Sequence, residues 1–560
     1  MLYDFLDPGL RRPPTGPDPL RRQLPLDIMS TIISYVESAS DLSRVSRVSR
    51  ILHFLSVPRL YRTVVIRAPR TRVNDEDNGG GRKQSVSASA LGALMKPGIA
   101  SCVQTLRIRG EIPGGDEWWA SGMWSDMEVV WAMALAGVMG NMTRLERVEW
   151  TSESYPHPVL FGAMAKHPTI RSLYVIHPPA EPASLGEKPP LRPPLEVIPG
   201  FANIRSLHFT NIPTTLARID DYTGAIFSSP RLEALYLGFA SRAPLGLLPF
   251  FLPQRIRPAG SMGTKLRLKE MGLRNVSFDF PEGGVVDDWL DTEALEVLSL
   301  IDCKITATSC WSGLFGNHSS SPAASSSPAS VRSAGSPAGK SSRTSTPRTS
   351  APSAPPPEKK HKLKLRSLRV NSRAELWAGF LSSYEGLEEL YILDPIDGEK
   401  EAELTAPAGA FIDALVTNHK SIKRLRLYSQ WILHKTEVQR LFRACTQLQE
   451  LGLSFEQNQW PFMEVLVLFL PNIKVMHLLE SQLGSKAEME AELISNRETI
   501  ETSLAVPGLF GFGRFGSAQV FIRMDKTALR VNGREVKNWQ MVPFEEVRDS
   551  VGIWRAERSI

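Results

Sequence analysis

A chain of 560 residues is long enough for several domains or for one repeat array with a substantial buried core. Its 42% hydrophobic and 22% charged residues are those of an ordinary soluble protein. The formal charge of +6 sits almost wholly in one segment, since between Ser319 and Lys360 six Lys or Arg face the single acid Glu358. The remainder is close to neutral and offers no basic face for nucleic acid.

Four cysteines (Cys102, Cys303, Cys310 and Cys445) make no disulfide framework. None forms a C-x-x-C pair or joins histidines at metal spacing. The opening MLYDFLDPGLRRPP lacks the apolar core of a secretory signal. The most apolar runs, Val129 to Met139 and Leu245 to Leu252, are too short for a membrane helix. We therefore expect a cytoplasmic or nuclear protein with no membrane partner, no metal and no cofactor.

Residues 1–23 are rich in Pro and Arg, and disorder is expected there. Residues 24–66 form a first module. Ile28, Ile32, Ile33 and Val36, then Leu42, Val45, Val48, Ile51 and Leu52, recur at helical spacing. Two short helices are expected, split near Glu37 to Ser40, with Ser40 or Asp41 as N-cap of the second. Residues 67–101 read as a linker, including a glycine run at Gly79 to Gly81, followed by the first helix of the next region.

From there to about residue 480 one pattern recurs, apolar-x-x-apolar-x-apolar, usually after a helical stretch. The copies begin Val103-x-x-Leu106-x-Ile108, Leu145-x-x-Val148-x-Trp150, Ile170-x-x-Leu173-x-Val175, Ile204-x-x-Leu207-x-Phe209 and Leu232-x-x-Leu235-x-Leu237. A blurred copy at Leu268, Met271 and Leu273 precedes the fullest one, Leu295, Leu298, Leu300, Cys303, Ile305. Five more are centred on Leu368, Leu390, Leu425, Leu451 and Met476. The spacing between centres is irregular, 22 to 42 residues, apart from one interval of 70 that contains the 42 residues of segment 319–360. Without that insertion the interval returns to the common range.

The pattern resembles the leucine-rich repeat, in which stacked strand-and-helix units bury a common core. The expected fold class is α/β: a small all-helical module, then an irregular leucine-rich-repeat-like solenoid with parallel strands on the concave side and helices on the convex side. Repeats are expected over 102–318 and 361–484. Helical feeders are visible at Met127 to Met139, Ala374 to Ser382, Ala410 to Val416 and Thr436 to Cys445.

The insertion 319–360 is Ser, Pro and Ala with scattered Arg and Lys. It lacks the apolar surface that would offset the entropy of ordering. Ser321, Ser327, Ser336 and Thr346 each precede Pro and suit proline-directed phosphorylation; an inert spacer is the other reading. Residues 485–560 leave the repeat pattern. Two strand-like runs flank Asn532-Gly533, a strong hairpin signal, and the segment could cap the open end of the array.

The residues Leu24-Pro25-Leu26-Asp27-Ile28 with Ile32, then Asp41-Leu42 with Val45 and Val48-Ser49-Arg50, and finally Pro58-Arg59-Leu60-Tyr61, resemble the F-box in order and spacing. Asp27 stands where the family often has Glu, and Leu52 where it often has an aromatic. The resemblance implies a module that docks the Skp-family adaptor of an SCF-type cullin-RING ubiquitin ligase. Leu24, Pro25, Ile28, Ile32, Leu42, Val45 and Val48 would form that docking face. It also implies a non-catalytic substrate adaptor whose repeats bind an unknown target protein. Outward strand positions Tyr174, His208, Tyr236, Arg369, Tyr391, Arg426 and His477 are the expected target face. A leucine-rich-repeat scaffold acting outside ubiquitination is the alternative.

Weaker signals point away from an enzyme. Gly511-x-Gly513-x-x-Gly516 matches a dinucleotide-loop pattern, but the run after it looks like a strand, and no strand is expected to lead into it. The histidines are scattered, and His167 and His419 sit beside repeat segments where a structural role is expected. Trp118, Trp119 and Trp124 are read as covering the flank of the array or as an exposed anchor.

Overall fold

The computed structural model describes residues 24–67, 91–110, 126–152, 156–177, 200–212, 222, 225–240, 265–278, 290–305, 363–371, 374–393, 408–429, 431–455, 469–479, 509–512, 520–531, 534–542 and 552. Residues 1–23, the tryptophans at 118, 119 and 124, and the insertion with Ser321, Ser327, Ser336 and Thr346 lie outside them. The chain divides into two compact units, one essentially residues 1–174 and the other essentially 175–560.

The first unit opens with three short helices, α1 (Leu26–Ser34), α2 (Ala39–Ser46) and α3 (Arg50–Leu60). Two serines set the breaks. Ser38 accepts from the Asp41 backbone N–H at 3.3 Å and Ser49 from that of Leu52 at 3.2 Å, each replacing a bond the helix start lacks. The expected cap at Ser40 or Asp41 is thus two or three residues late. The expected second helix is in fact two, because Ser49 starts a new one.

After α3 the chain enters β1 (Thr63–Arg67), which pairs in parallel with β2 (Thr105–Gly110), itself paired with β3 (Arg147–Ser152). A repeat strand therefore lies inside the segment read as the helical module, 24–66. Val64 aligns with Leu106 and Ile66 with Ile108, so Tyr61-x-x-Val64-x-Ile66 is a first copy of the pattern. Helices α4 (Pro97–Ala100), α5 (Asp126–Gly140) and α6 (Pro158–Lys166) precede β2, β3 and β4 (Ser172–Ile176).

In the second unit the parallel strands run β5 (Ser206–Ile212), β6 (Ala234–Phe239), β7 (Glu270–Arg274), β9 (Val297–Ile301), β11 (Ser367–Val370), β12 (Glu389–Ile392), β13 (Arg424–Arg426), β15 (Glu450–Phe455) and β16 (Val475–Leu478). The two-residue strands β8 (Ser277–Phe278) and β10 (Lys304–Ile305) pair with each other, and β14 (Ile432–Leu433) pairs with β15. Helices α7 (Ala374–Ser382), α8 (Ala408–Asn418) and α9 (Lys435–Ala444) feed β12, β13 and β15. Each pattern centre from Leu106 to Met476 is on a strand and buried. Burial of the first apolar position of each copy as well explains why the two-periodic strand needs an extra apolar residue ahead of it. This is the leucine-rich-repeat-like α/β architecture.

Bends near or just after the strand ends use residues that tolerate positive φ. Asn211 and Asn275 stand at 57° and Asp302 at 52°. Their side chains bond to the neighbouring turn: Asn211 donates to the His177 carbonyl at 3.0 Å and Asn275 to that of Phe239 at 2.7 Å. Asp302 accepts from the Asn371 amide at 2.7 Å. Cys303, at the Asn/Cys position of the repeat, lies 3.5 Å from the Leu273 carbonyl. Burial pushes its thiol up to about 12.

Two buried histidines stitch helix ends in the same way. His167 Nε2 is 3.1 Å from the Met139 carbonyl, and His419 Nε2 is 2.8 Å from that of Leu381. Two residues on, Thr169 donates to Leu145 O at 2.7 Å and Ser421 to Leu387 O at 2.9 Å. Burial lowers the pKa of both histidines, as befits neutral rings held between backbone groups.

Beyond β16 the sheet continues. β17 (Leu509–Phe512) pairs in parallel with β16, and β18 (Val520–Val531) and β19 (Arg534–Val542) add antiparallel. Val531 aligns with Arg534, bracketing Asn532-Gly533. Gly511 falls within β17, so a strand does lead into the G-x-G-x-x-G segment. The next described element is another strand rather than the helix a dinucleotide loop requires.

Candidate functional site

Two surfaces are candidates, the helical module and the outward face of the strands. In the module, α1 carries two apolar stripes one residue out of phase. Met29, Ile33 and Val36 turn inward, and Ile33 is buried. Ile28, Ile32 and Tyr35, at i, i+4 and i+7, turn outward and remain 47%, 53% and 79% exposed. Leu24 (53%), Leu26 (43%) and, just past the end of α2, Val48 (73%) add to them. A helix that shows water a second apolar stripe has surface left over for a partner.

Of the seven residues expected on this face, Leu24, Pro25, Ile28, Ile32 and Val48 are exposed and Val45 is half-buried. Leu42 is buried; it faces the neighbouring helices and so serves the module's own packing. Leu26 and Tyr35 are additions to the expected face, and Tyr35 completes the i+7 spacing from Ile28. Arg59 holds the layout by donating from Nη1 to the Ile33 carbonyl at the end of α1. Leu52 and Phe54 are both half-buried.

The strand face is a register-matched row. In the second unit His208, Tyr236, Gly272, Ser299, Arg369, Tyr391, Arg426, Gly452 and His477 stand side by side. The row has two halves. His208 stacks on Tyr236 with ring centroids 4.8 Å apart, and Tyr236 donates to Glu270 at 2.8 Å. Burial, with the Glu270 carboxylate beside it, drives the Tyr236 phenol well up from its usual range. The Tyr236 ring overlies Gly272, where a Cβ would fall 2.1 Å from Tyr236 Cδ1. His208, Tyr236 and Arg369 are half-buried, as is Tyr174 on β4.

Tyr391 (1% exposed), Arg426 (0%) and His477 (0%) differ. All three were expected to be open to a target; the structure buries them, so this half of the row is closed. Arg426 lies over Gly452, where a Cβ would meet its Cγ at 3.2 Å. Arg369 stands 5.5 Å from the Tyr391 ring centre. In the adjacent outward row Arg424 bonds to Glu389 and, through Nε at 3.1 Å, to Glu450. Glu389 also accepts from Ser367 at 3.1 Å and from Tyr391 at 3.3 Å. In the first unit the outward pair Arg107 and Glu149 meets at 2.7 Å, and Arg147 reaches the same carboxylate at 2.7 Å.

Among the described residues no group of three or more His, Cys, Asp or Glu is placed to hold a metal ion, and no helix is long and apolar enough to cross a membrane. The described candidate surfaces are a row of outward side chains on the strands and an exposed apolar stripe on a helix.

No curated protein matches the sequence. Among solved structures, the chain is similar to one in the Rad7 and Elc1 complex of yeast, with 11% identity over 82% of this chain and 90% of that one and a TM-score of 0.35. It is also similar to one in a TLR13-ssRNA13 complex (13% identity, 71% and 46% covered, TM-score 0.29). A third is in the Toll–Spatzle complex of Drosophila (12% identity, 68% and 35% covered, TM-score 0.22). None reaches a TM-score of 0.5, and the fold assignment rests on the strand registers and the buried pattern positions. The family model that matches is F-box-like, over residues 22–67, the segment of α1 to β1. The chain therefore carries an F-box-like domain ahead of a leucine-rich-repeat-like array.

Proposed function

We propose that this chain is the non-catalytic, target-recruiting subunit of an SCF-type cullin-RING ubiquitin ligase. The observation that carries the reading is the exposed apolar stripe Ile28, Ile32 and Tyr35, with Leu24, Leu26 and Val48, inside a segment that matches the F-box-like model. Helix-in-groove docking uses such i, i+4, i+7 anchors, and fully burying each large one is worth about 1.5–3 kcal/mol. The partner on this face is a Skp-family adaptor, and through it a cullin. The target is a protein, held on the strand face of the second unit around His208, Tyr236 and Arg369; Tyr174, in the first unit, is a separate candidate contact. Aromatic and Arg side chains in one row are the usual anchors of protein interfaces.

Ser321, Ser327, Ser336 and Thr346 are candidate phosphorylation sites in the insertion, and the β17–β19 segment is a candidate cap for the repeat array. Transfer of ubiquitin belongs to partner subunits, and the complex would work in the cytoplasm, the nucleus or both. The test is co-purification. Full-length protein should recover adaptor and cullin, and Pro25→Ala with Ile28→Asp should lose both while the chain stays folded. Recovery of adaptor without cullin would favour the leucine-rich-repeat scaffold outside ubiquitination. Recovery of neither by well-folded protein would overturn the proposal.

A further inference from the structure

Half of the strand face is closed, and one residue far along the chain lies on it. Gly552 is buried. A Cβ built on it would stand 2.8 Å from Arg424 Cδ and 2.9 Å from both Arg424 Nε and Glu450 Oε2. Arg424 and Glu450 are register partners on β13 and β15, and their side chains belong to the outward row that also carries Glu389. The backbone at Gly552 therefore rests directly on the Arg424–Glu450 ion pair, at a separation where a small side chain would have to push the ends of Arg424 and Glu450 aside and a large one could not be seated. The same patch contains Tyr391, Arg426 and His477, all but removed from water. In the other half, at His208, Tyr236 and Arg369, side chains remain partly open.

We propose that the strand face over β12, β13 and β15 is an intramolecular docking site. Its ligand is the chain's own C-terminal segment, seated at Gly552 on the carboxylates and guanidinium of Glu389, Arg424 and Glu450. Two features favour this occupant over a second copy or a foreign protein. The contact is present within one chain, and it is made by the residue type with the least bulk. A tethered segment also binds at high effective concentration. The surface left to another protein is then the stretch from β5 to β11. That last step rests on the ligase reading, while the docking of the segment does not.

Disulfide trapping in the full chain tests the docking. Gly552→Cys with Glu450→Cys should cross-link on mild oxidation, and Gly552→Cys with Glu270→Cys, farther along the same outward row on β7, should not. Equal cross-linking of the two pairs, or none of the first, overturns the proposal. Maleimide labelling of Glu450→Cys gives a second readout. It should be slow in the otherwise natural chain and about tenfold faster when Gly552→Trp displaces the segment, because labelling then no longer waits for local opening. An unchanged rate also overturns the proposal. Failure to recover an adaptor would sink the ligase reading and leave both results standing.

Discussion

Helices α1 and α9 are of similar length, yet they treat their apolar residues in opposite ways. In α9 the apolar side chains Val438, Leu441 and Phe442 are all buried, and the remaining face is mostly Lys, Glu, Gln and Arg. In α1 one apolar stripe is buried and a second, Ile28, Ile32 and Tyr35, stays in water. Propensity does not separate the two helices. In α9 the whole apolar face is used on the neighbouring repeat, whereas α1 leaves one apolar stripe over. Removing an apolar side chain from α9 should therefore cost folding, and removing one from the outer stripe of α1 should cost binding.

The largest effect is expected in the stack. Phe442→Ala should destabilise the second unit by about 3–5 kcal/mol, and Leu441→Ala by about 2–5 kcal/mol, read from denaturant midpoints. Next, Ile28→Asp with Ile32→Asp should abolish adaptor recovery while changing stability by no more than about 0.5 kcal/mol. If this double variant unfolds the protein, α1 is a packing helix like α9 and the contrast collapses.

A smaller effect concerns pH. The folded pKa of His167 and His419 lies below the ordinary value. The unfolded chain therefore takes up protons that the folded chain refuses, and stability falls as pH drops through about 6.5. The loss continues until the depressed folded pKa is reached. Unfolding midpoints between neutral and mildly acid pH should show this decline, and His419→Gln should flatten part of it. The smallest effect is expected at the strand entrances. Lys423 meets Glu388 at 2.9 Å and is partly exposed. Lys423→Glu should cost about 1 kcal/mol or less, most of it removed by salt.

The strands were legible in the sequence because the repeat needs three apolar residues at fixed spacing, and nothing else in the chain imitates that spacing twelve times. β1 is harder to read because Tyr61 occupies the position usually held by Leu, Ile or Val, inside a segment whose period is helical. The exposed apolar stripe was mostly legible from the period of α1. Leu42 was misplaced because period alone does not say which of two apolar faces is inward. The fate of Tyr391, Arg426 and His477 was not legible. Alternation shows only that they point outward from the strand, and the residue that lies on the neighbouring Arg424 and Glu450 is Gly552, 126 positions beyond Arg426, with no periodic relation to it.

The residues at the strand entrances carry a further consequence. From β5 to β16 the residue just ahead of each main strand is Arg205, Glu233, Lys269, Glu296, Arg366, Glu388, Lys423, Gln449 and Lys474. From Glu233 on, each donates its backbone N–H to the carbonyl of the one before. Side chains join Arg205 to Glu233, Glu233 to Lys269, Glu296 to Arg366, Arg366 to Glu388 and Glu388 to Lys423. As far as Lys423 the signs alternate, so every strand in that stretch has a parity. A strand that skipped one neighbour while folding would meet its own sign, and one that skipped two would not. The insertion 319–360 lies between Glu296 and Arg366 and leaves the parity intact. Shortening this stretch by one unit should therefore juxtapose like charges, and shortening it by two should restore the alternation, so that the stack is most readily edited in pairs.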